Sequence, residues 1–150
     1  MLIKLNEKFT ESLSKKLREL SRNEQNFFYP HKFDFESIKN LFKEKGNHYY
    51  IYLDDFGEFA GYGMLRTFEK YEIPMLGCVV WREYRGRGNG KKLVEELINK
   101  ALELKYQKIR LRVRPNNKIA YRLYKKVEFK KISEGKDGLI WMEYSGKNVG

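Results

Sequence analysis

The chain has 150 residues, 41% of them hydrophobic and 15% aromatic, enough for one domain with a sizeable core and too few for two ordinary ones. That composition excludes a disordered chain, no apolar run approaches the roughly 20 residues of a membrane span, and a single cysteine, Cys78, excludes an internal disulfide. The net charge of +11 favours anionic partners, yet the lysines sit in mixed-charge runs with no pure basic tail, as on a solvated surface.

The N-terminus, MLIKLNEKF, lacks the apolar run and small-residue cleavage site of a secretory signal, so a soluble cytoplasmic protein is expected. Met1 to Leu5 reads as a short strand. Phe9, Leu13, Leu17 and Leu20 recur at helical spacing and predict an amphipathic helix over about 9–22, broken by FFYPHKF. Asp34 then caps a second helix carrying Phe35, Ile38, Leu41 and Phe42. HYYIYLD, from His48, and FAGYGMLRTF form a hairpin around the turn DFGE. A loop through Glu72 and Pro74 leads to MLGCVVW, Met75 to Trp81, expected as a buried strand. A glycine loop follows, then Leu93, Val94, Leu97, Ile98, Ala101 and Leu102 on one helical face.

In KIRLRVR, Ile109, Leu111 and Val113 alternate with Arg110, Arg112 and Arg114, the pattern of a strand. Strand, glycine loop, helix and strand make a βαβ unit, whose strands should run parallel. Pro115 stops the second strand. Asn116 and Asn117 can cap a helix holding Ile119, Ala120, Leu123, Tyr124 and Val127. FKKIS and LIWMEY close the chain as two strands around EGKDG. The predicted order is βααβββαβαββ, a mixed α/β fold on one sheet.

The loop YRGRGNG, Tyr84 to Gly90, packs three of the 12 glycines into five residues directly before a helix. Backbone N–H groups at a helix start lack partners, and the helix dipole favours negative charge there. Glycines remove the Cβ atoms that would keep an anion away, and Arg85 and Arg87 add charge suited to phosphate. The loop reads as a pyrophosphate cradle. It fits neither the nucleotide P-loop, because residue 92 is Lys where a hydroxyl is needed, nor the G-x-G-x-x-G dinucleotide fingerprint.

Arg85, Gly88 and Gly90 match R/Q-x-x-G-x-G/A. Asn117, Ala120, Leu123 and Tyr124 match N-x-x-A-x-x-L-Y. These two motifs, in this order with a helix and a strand between them, resemble those of the GCN5-related N-acetyltransferases (GNAT). The resemblance covers about residues 48–144. Two departures stand out: Glu128 precedes Phe129 where the family has glycine, and MLGCVVW carries no obvious catalytic glutamate.

The resemblance implies a mostly antiparallel mixed sheet with one parallel pair, strands four and five, that splays apart, and helices on both faces. It implies acetyl-CoA as co-substrate and an amine acceptor, either a small molecule or a peptide. Arg85, Gly86, Arg87, Gly88, Asn89, Gly90 and Lys91 would hold the pyrophosphate. Cys78, Val79 and Val80 would line the pantetheine arm, with the Val80 N–H near the thioester carbonyl. Asn117 would face the same arm, and Tyr124 would protonate the leaving thiolate. Glu72, just before strand four, is the candidate base. Tyr29, His31 and Arg66 are the candidate acceptor residues, Arg66 as partner to a carboxylate or phosphate on the acceptor.

Cys78 reads as a small core residue, since no His is near in sequence. His31 and His48 have no metal-ligand spacing, so no metal is expected. A non-catalytic acetyl-CoA-binding sensor is the alternative function. A nucleic-acid binder fits poorly, because the arginines of RLRVR share one face of a strand deep in a sheet with little aromatic interleaving. The resemblance also allows a homodimer, with Phe68, Tyr71 and Trp141 as interface or core.

Overall fold

The computed structural model describes residues 1–146. The chain runs through β1 (Leu2–Lys4), α1 (Glu7–Arg18), α2 (Arg22–Phe27), α3 (Phe35–Leu41), β2 (Asn47–Leu53), β3 (Phe59–Arg66), β4 (Met75–Val80), α4 (Asn89–Glu103), β5 (Lys108–Val113), α5 (Lys118–Lys126), β6 (Lys130–Glu134) and β7 (Ile140–Ser145), with one 3-10 turn at Arg82–Tyr84. The strands form one sheet in the order β1-β2-β3-β4-β5-β7-β6. Every neighbouring pair is antiparallel except β4 with β5. The mixed α/β architecture and the parallel pair expected from the βαβ unit are both present.

Two cores lie on opposite faces of this sheet. On one face Leu13 and Leu17 of α1 and Ile38 and Leu41 of α3 pack against Ile51, Tyr62, Met64 and Trp81. On the other, Leu93, Val94 and Leu97 of α4 meet Leu65, Ile109, Leu111 and Met142, with Ala120, Leu123 and Tyr124 of α5 packed against them. Gly63 of β3 lets α4 come close: a Cβ there would stand 2.8 Å from the Leu97 side chain. Among the described residues no helix is long and apolar enough to cross a membrane.

The first helical region differs from the sequence expectation. The apolar spacing predicts one helix over about 9–22, but α1 ends at Arg18 and α2 begins at Arg22. Ser21 explains the break. Its hydroxyl accepts from the Glu24 amide, and the Glu24 carboxylate accepts from the Ser21 amide, a capping box that starts a new helix. Asp34 caps α3 as expected, accepting from the Ser37 amide at 3.1 Å. Strand β4 is less buried than expected. From Gly77 to Val80 it is half-buried, because its partner on one side leaves it. Of the aromatics considered for an interface or core, Phe68 and Tyr71 are exposed, and Trp141 is half-buried.

The parallel pairing of β4 with β5 holds at a single register position, Met75 with Arg110, backed by the Arg110 amide donating to the Pro74 carbonyl at 3.0 Å. Beyond it the strands separate. The other edge of β4 stays paired to β3 along its whole length, from Met75 opposite Arg66 to Val80 opposite Gly61. The sheet therefore opens a wedge whose apex is Met75 and whose mouth is the Val80 end.

Candidate functional site

The glycine loop stands at the mouth of that wedge. Gly86 and Gly88 have φ +77° and +80°, left-handed values that only glycine adopts cheaply. A Cβ at either would meet nothing within 4 Å, so the space in front of them is open. Gly88 is the N-cap of α4 and makes no side-chain cap. Among the described residues, the backbone N–H groups of Gly86, Arg87, Gly88, Asn89, Gly90 and Lys91 all lack an internal partner, and the first amide of α4 to find one is Lys92, bonded to the Gly88 carbonyl. Six successive free donors at the positive end of a 15-residue helix form a nest for an anion.

The side chains of the loop divide. Asn89 turns inward and is only 6% exposed. It accepts from the Tyr52 hydroxyl at 3.1 Å and donates to the Tyr84 carbonyl at 2.9 Å, so it fastens the loop to the sheet and offers a ligand only its backbone. Arg85 is also engaged. Its Nε donates to the Val80 carbonyl at 2.8 Å, and its terminal nitrogen pairs with Glu24 at 2.6 Å. Arg87 and Lys91 are exposed and have no ion pair among the described residues. Gly90 lies under α5, where a Cβ would stand 3.2 Å from Leu123.

Inside the wedge the backbone of β4 is aimed by alternation. The Trp81 amide donates to the Ala60 carbonyl of β3 at 2.9 Å, so the amides of Gly77 and Val79 also face β3, while those of Cys78 and Val80 face the gap. Tyr124 projects from α5 to the same place, its phenol oxygen 3.8 Å from the Cys78 sulfur. Burial, with Cys78 beside it, raises the Tyr124 pKa well above its ordinary value, so the phenol keeps its proton. Burial pushes the Cys78 thiol up to about 11, against the opposing pull of Tyr124, and it is a protonated thiol rather than a nucleophile. Asn117 is the N-cap of α5, and its side-chain oxygen accepts from the Ala120 amide at 3.4 Å.

The opposite face of the wedge is roofed by α2 and the segment after it. Phe28 lies over Gly77, its ring 3.9 Å from where a Cβ would be. Three arginines hold this roof: Arg82 and Arg85 both pair with Glu24, and Arg114 donates to the Asn26 carbonyl at 2.8 Å. Burial pulls Glu24 up, but the Ser21 amide and the Arg85 guanidinium outweigh it and bring its pKa down to about 2. Neither α2 nor Glu24 was legible as part of a site, although the sequence SRNE carried the capping-box signal.

His31 and Arg66 come together on this face, but both are bound internally. The His31 Nδ1 donates to the Lys32 carbonyl at 2.7 Å, leaving Nε2 to accept from the Tyr62 hydroxyl at 2.9 Å. Burial and the Arg66 charge lower its pKa and keep it neutral. Arg66 donates to the Pro30 carbonyl at 2.9 Å and lies over the Phe68 ring, while its Nε is buried without a hydrogen-bond partner among the described residues. Tyr29 is 56% exposed and leans on Phe33. Glu72 is exposed in the loop before Met75, at the apex of the wedge. From Met75 to Cys78 is about 10 Å of strand, and Glu72 lies before that stretch.

The wedge is an open slot, and two further open hollows lie elsewhere. One of about 240 Å³ is lined by Lys16, Glu19, Leu20, Trp81 and Arg82 among others, and one of about 510 Å³ lies by Lys43, Asn47 and Phe68. Among the described residues no three His, Cys, Asp or Glu side chains form a metal-binding group.

A family model, the acetyltransferase (GNAT) family, matches residues 14–129. No curated protein matches the sequence. Solved structures match across nearly the whole chain. Spermidine N-acetyltransferase from Vibrio cholerae, in complex with CoA and spermine, superposes with TM-score 0.84 at 15% identity, covering 97% of this chain and 94% of that one. A domain from Methanocaldococcus jannaschii superposes at 0.79 with 17% identity and 97% of each chain covered. An aminoglycoside acetyltransferase in complex with coenzyme A superposes at 0.78 with 18% identity, covering 97% and 94%. At these identities the likeness is one of fold.

Proposed function

The chain belongs to the GNAT acetyltransferase family, and from that premise we propose that it transfers the acetyl group of acetyl-CoA to a primary amine. The observation that carries this reading is the row of free amides from Gly86 to Lys91 at the mouth of the wedge. These donors suit a pyrophosphate, and Arg87 and Lys91 add uncompensated charge beside them. Acetyl-CoA, when bound, supplies an activated acyl group on a thiolate leaving group.

The chain's own residues do the rest. The amides of Cys78 and Val80 face the gap and are positioned to pair with an extended pantetheine arm, as a strand would. The Val80 N–H is the donor for a carbonyl oxygen gaining charge. Tyr124, protonated and aimed at the same point, is the general acid for a departing thiolate. Asn117 starts the helix that carries Tyr124 and sets its direction. The amine gives its proton to water at the open face, with Glu72 exposed in the loop at the apex end of the wedge. The position of Glu72 at that end is also the one observation that favours a binding-only sensor.

Titration calorimetry with acetyl-CoA, paired with turnover on a panel of amines, tests the reading. Micromolar binding by the intact chain is expected, lost in Gly88→Glu, whose carboxylate would occupy the nest. Tyr124→Phe is expected to bind normally and to turn over about 10²- to 10⁴-fold more slowly. No binding by the intact chain overturns the proposal. Binding without turnover of any amine leaves the sensor.

A further inference from the structure

Among the described residues no helix packs on β5, β7 and β6 at the face that α1 and α3 cover elsewhere, and β5 turns Arg110, Arg112 and Arg114 towards it. Register places these side chains against the wedge. Met75 is level with Arg110, so two residues on Gly77 is level with Arg112 across the gap. On β7, Glu143 stands opposite Arg110 and Trp141 opposite Arg112.

The charges here do not balance. Glu24 takes both Arg82 and Arg85, and Glu143 takes both Arg110 and Lys108. Arg112 and Arg114 have no carboxylate partner among the described residues. Arg114 is spent in part on the Asn26 carbonyl. Arg112 is exposed and stacks on Trp141, its guanidinium carbon 5.5 Å from the ring centroid. This cation–π contact confines the guanidinium without using its N–H groups, which can receive a carboxylate or phosphate. Gly77 has no side chain of its own, and the space beside it is filled by Met64 and Phe28, 3.2 and 3.9 Å from where a Cβ would stand.

We propose that the acceptor is an amine that also carries an anionic group, a carboxylate or a phosphate, which Arg112 beside Trp141 binds while the amine enters the wedge. The inference rests on the transferase reading and narrows its substrate class. It gives to Arg112 the anion-binding role that the sequence suggests for Arg66, whose guanidinium is engaged in part by the Pro30 carbonyl and the Phe68 ring.

Four amines of similar length test it: butylamine, 1,4-diaminobutane, 4-aminobutanoate and 2-aminoethyl phosphate. The kcat/KM of at least one anionic amine is expected to exceed that of butylamine about ten-fold or more, with the diamine lowest. The better of the two anionic amines identifies the group. In Arg112→Ala the ratio of anionic to neutral kcat/KM is expected to collapse towards one, mainly through KM, and in Arg112→Glu the diamine is expected to lead. Raising salt on the unaltered chain should shrink the same ratio without any substitution. A preference for butylamine or the diamine, or a ratio that Arg112→Ala leaves intact, overturns the inference while the transferase reading stands. Turnover of none of the four despite tight acetyl-CoA binding removes both.

Discussion

Glu128 holds a left-handed backbone at φ +74° in the C-terminal turn of α5, where glycine is the unstrained residue. The Phe129 amide bonds the Tyr124 carbonyl at 3.0 Å and the Glu128 amide bonds Lys125 at 3.1 Å, the paired bonds of a Schellman turn. Lys105 does the same after α4, with φ +72°. A side chain in this region costs about 1–2 kcal/mol. Glu128→Gly is therefore expected to stabilise the chain by about 1 kcal/mol, a rise of roughly 2–4 °C in Tm by thermal melt. A lower Tm would mean that the strain is imaginary or that Glu128 has a partner in solution. The missing glycine was readable in the sequence. Asn89 was not: its place inside a ligand motif suggests contact with a ligand, whereas Tyr52, which turns it inward, is 37 residues away.

Helix α2 has six residues, too short to stand alone, and what keeps it is its anchors. Glu24 links Ser21 of its own cap to Arg82 and Arg85, which follow β4, while Arg114, which follows β5, reaches its last turn. Because its folded pKa lies near 2, below the usual 4.5, the stabilisation by Glu24 is whole above about pH 4.5 and fades as pH falls towards 2. Glu24→Gln should accordingly lower Tm at pH 7 and make progressively less difference down to pH 2.5. An equal difference at all pH values would refute the role of the charge. The long elements α4, β5 and α5 were legible because each carries its own period and start signal. Helix α2 was not, because its spacing continues that of α1 and its partners come from strands far along the chain. The wedge escaped any periodicity for the same reason, since alternation marks a strand without saying where its neighbour leaves. It entered the expectations only through the two motifs.

The molecule as a whole is two half-sheets joined at the Met75–Arg110 position and bridged by α4. Acetyl-CoA in the slot would tie the halves together. At a hundredfold excess over Kd it should add about 2.7 kcal/mol, or roughly 5–10 °C in Tm, with hydrogen exchange slowed most at the Cys78 and Val80 amides. Slowing confined to the glycine loop would mean that the arm does not pair with β4. The free slot also bears on how the chain keeps company with its own kind. The outer borders of the sheet are guarded, β1 by having only three residues and β6 by its leading lysines, Lys130 and Lys131. The inner border along Cys78, Val79 and Val80 has no charged side chain of its own, and Arg85, donating to the Val80 carbonyl at 2.8 Å, takes the place at the mouth where a stray strand would begin to pair.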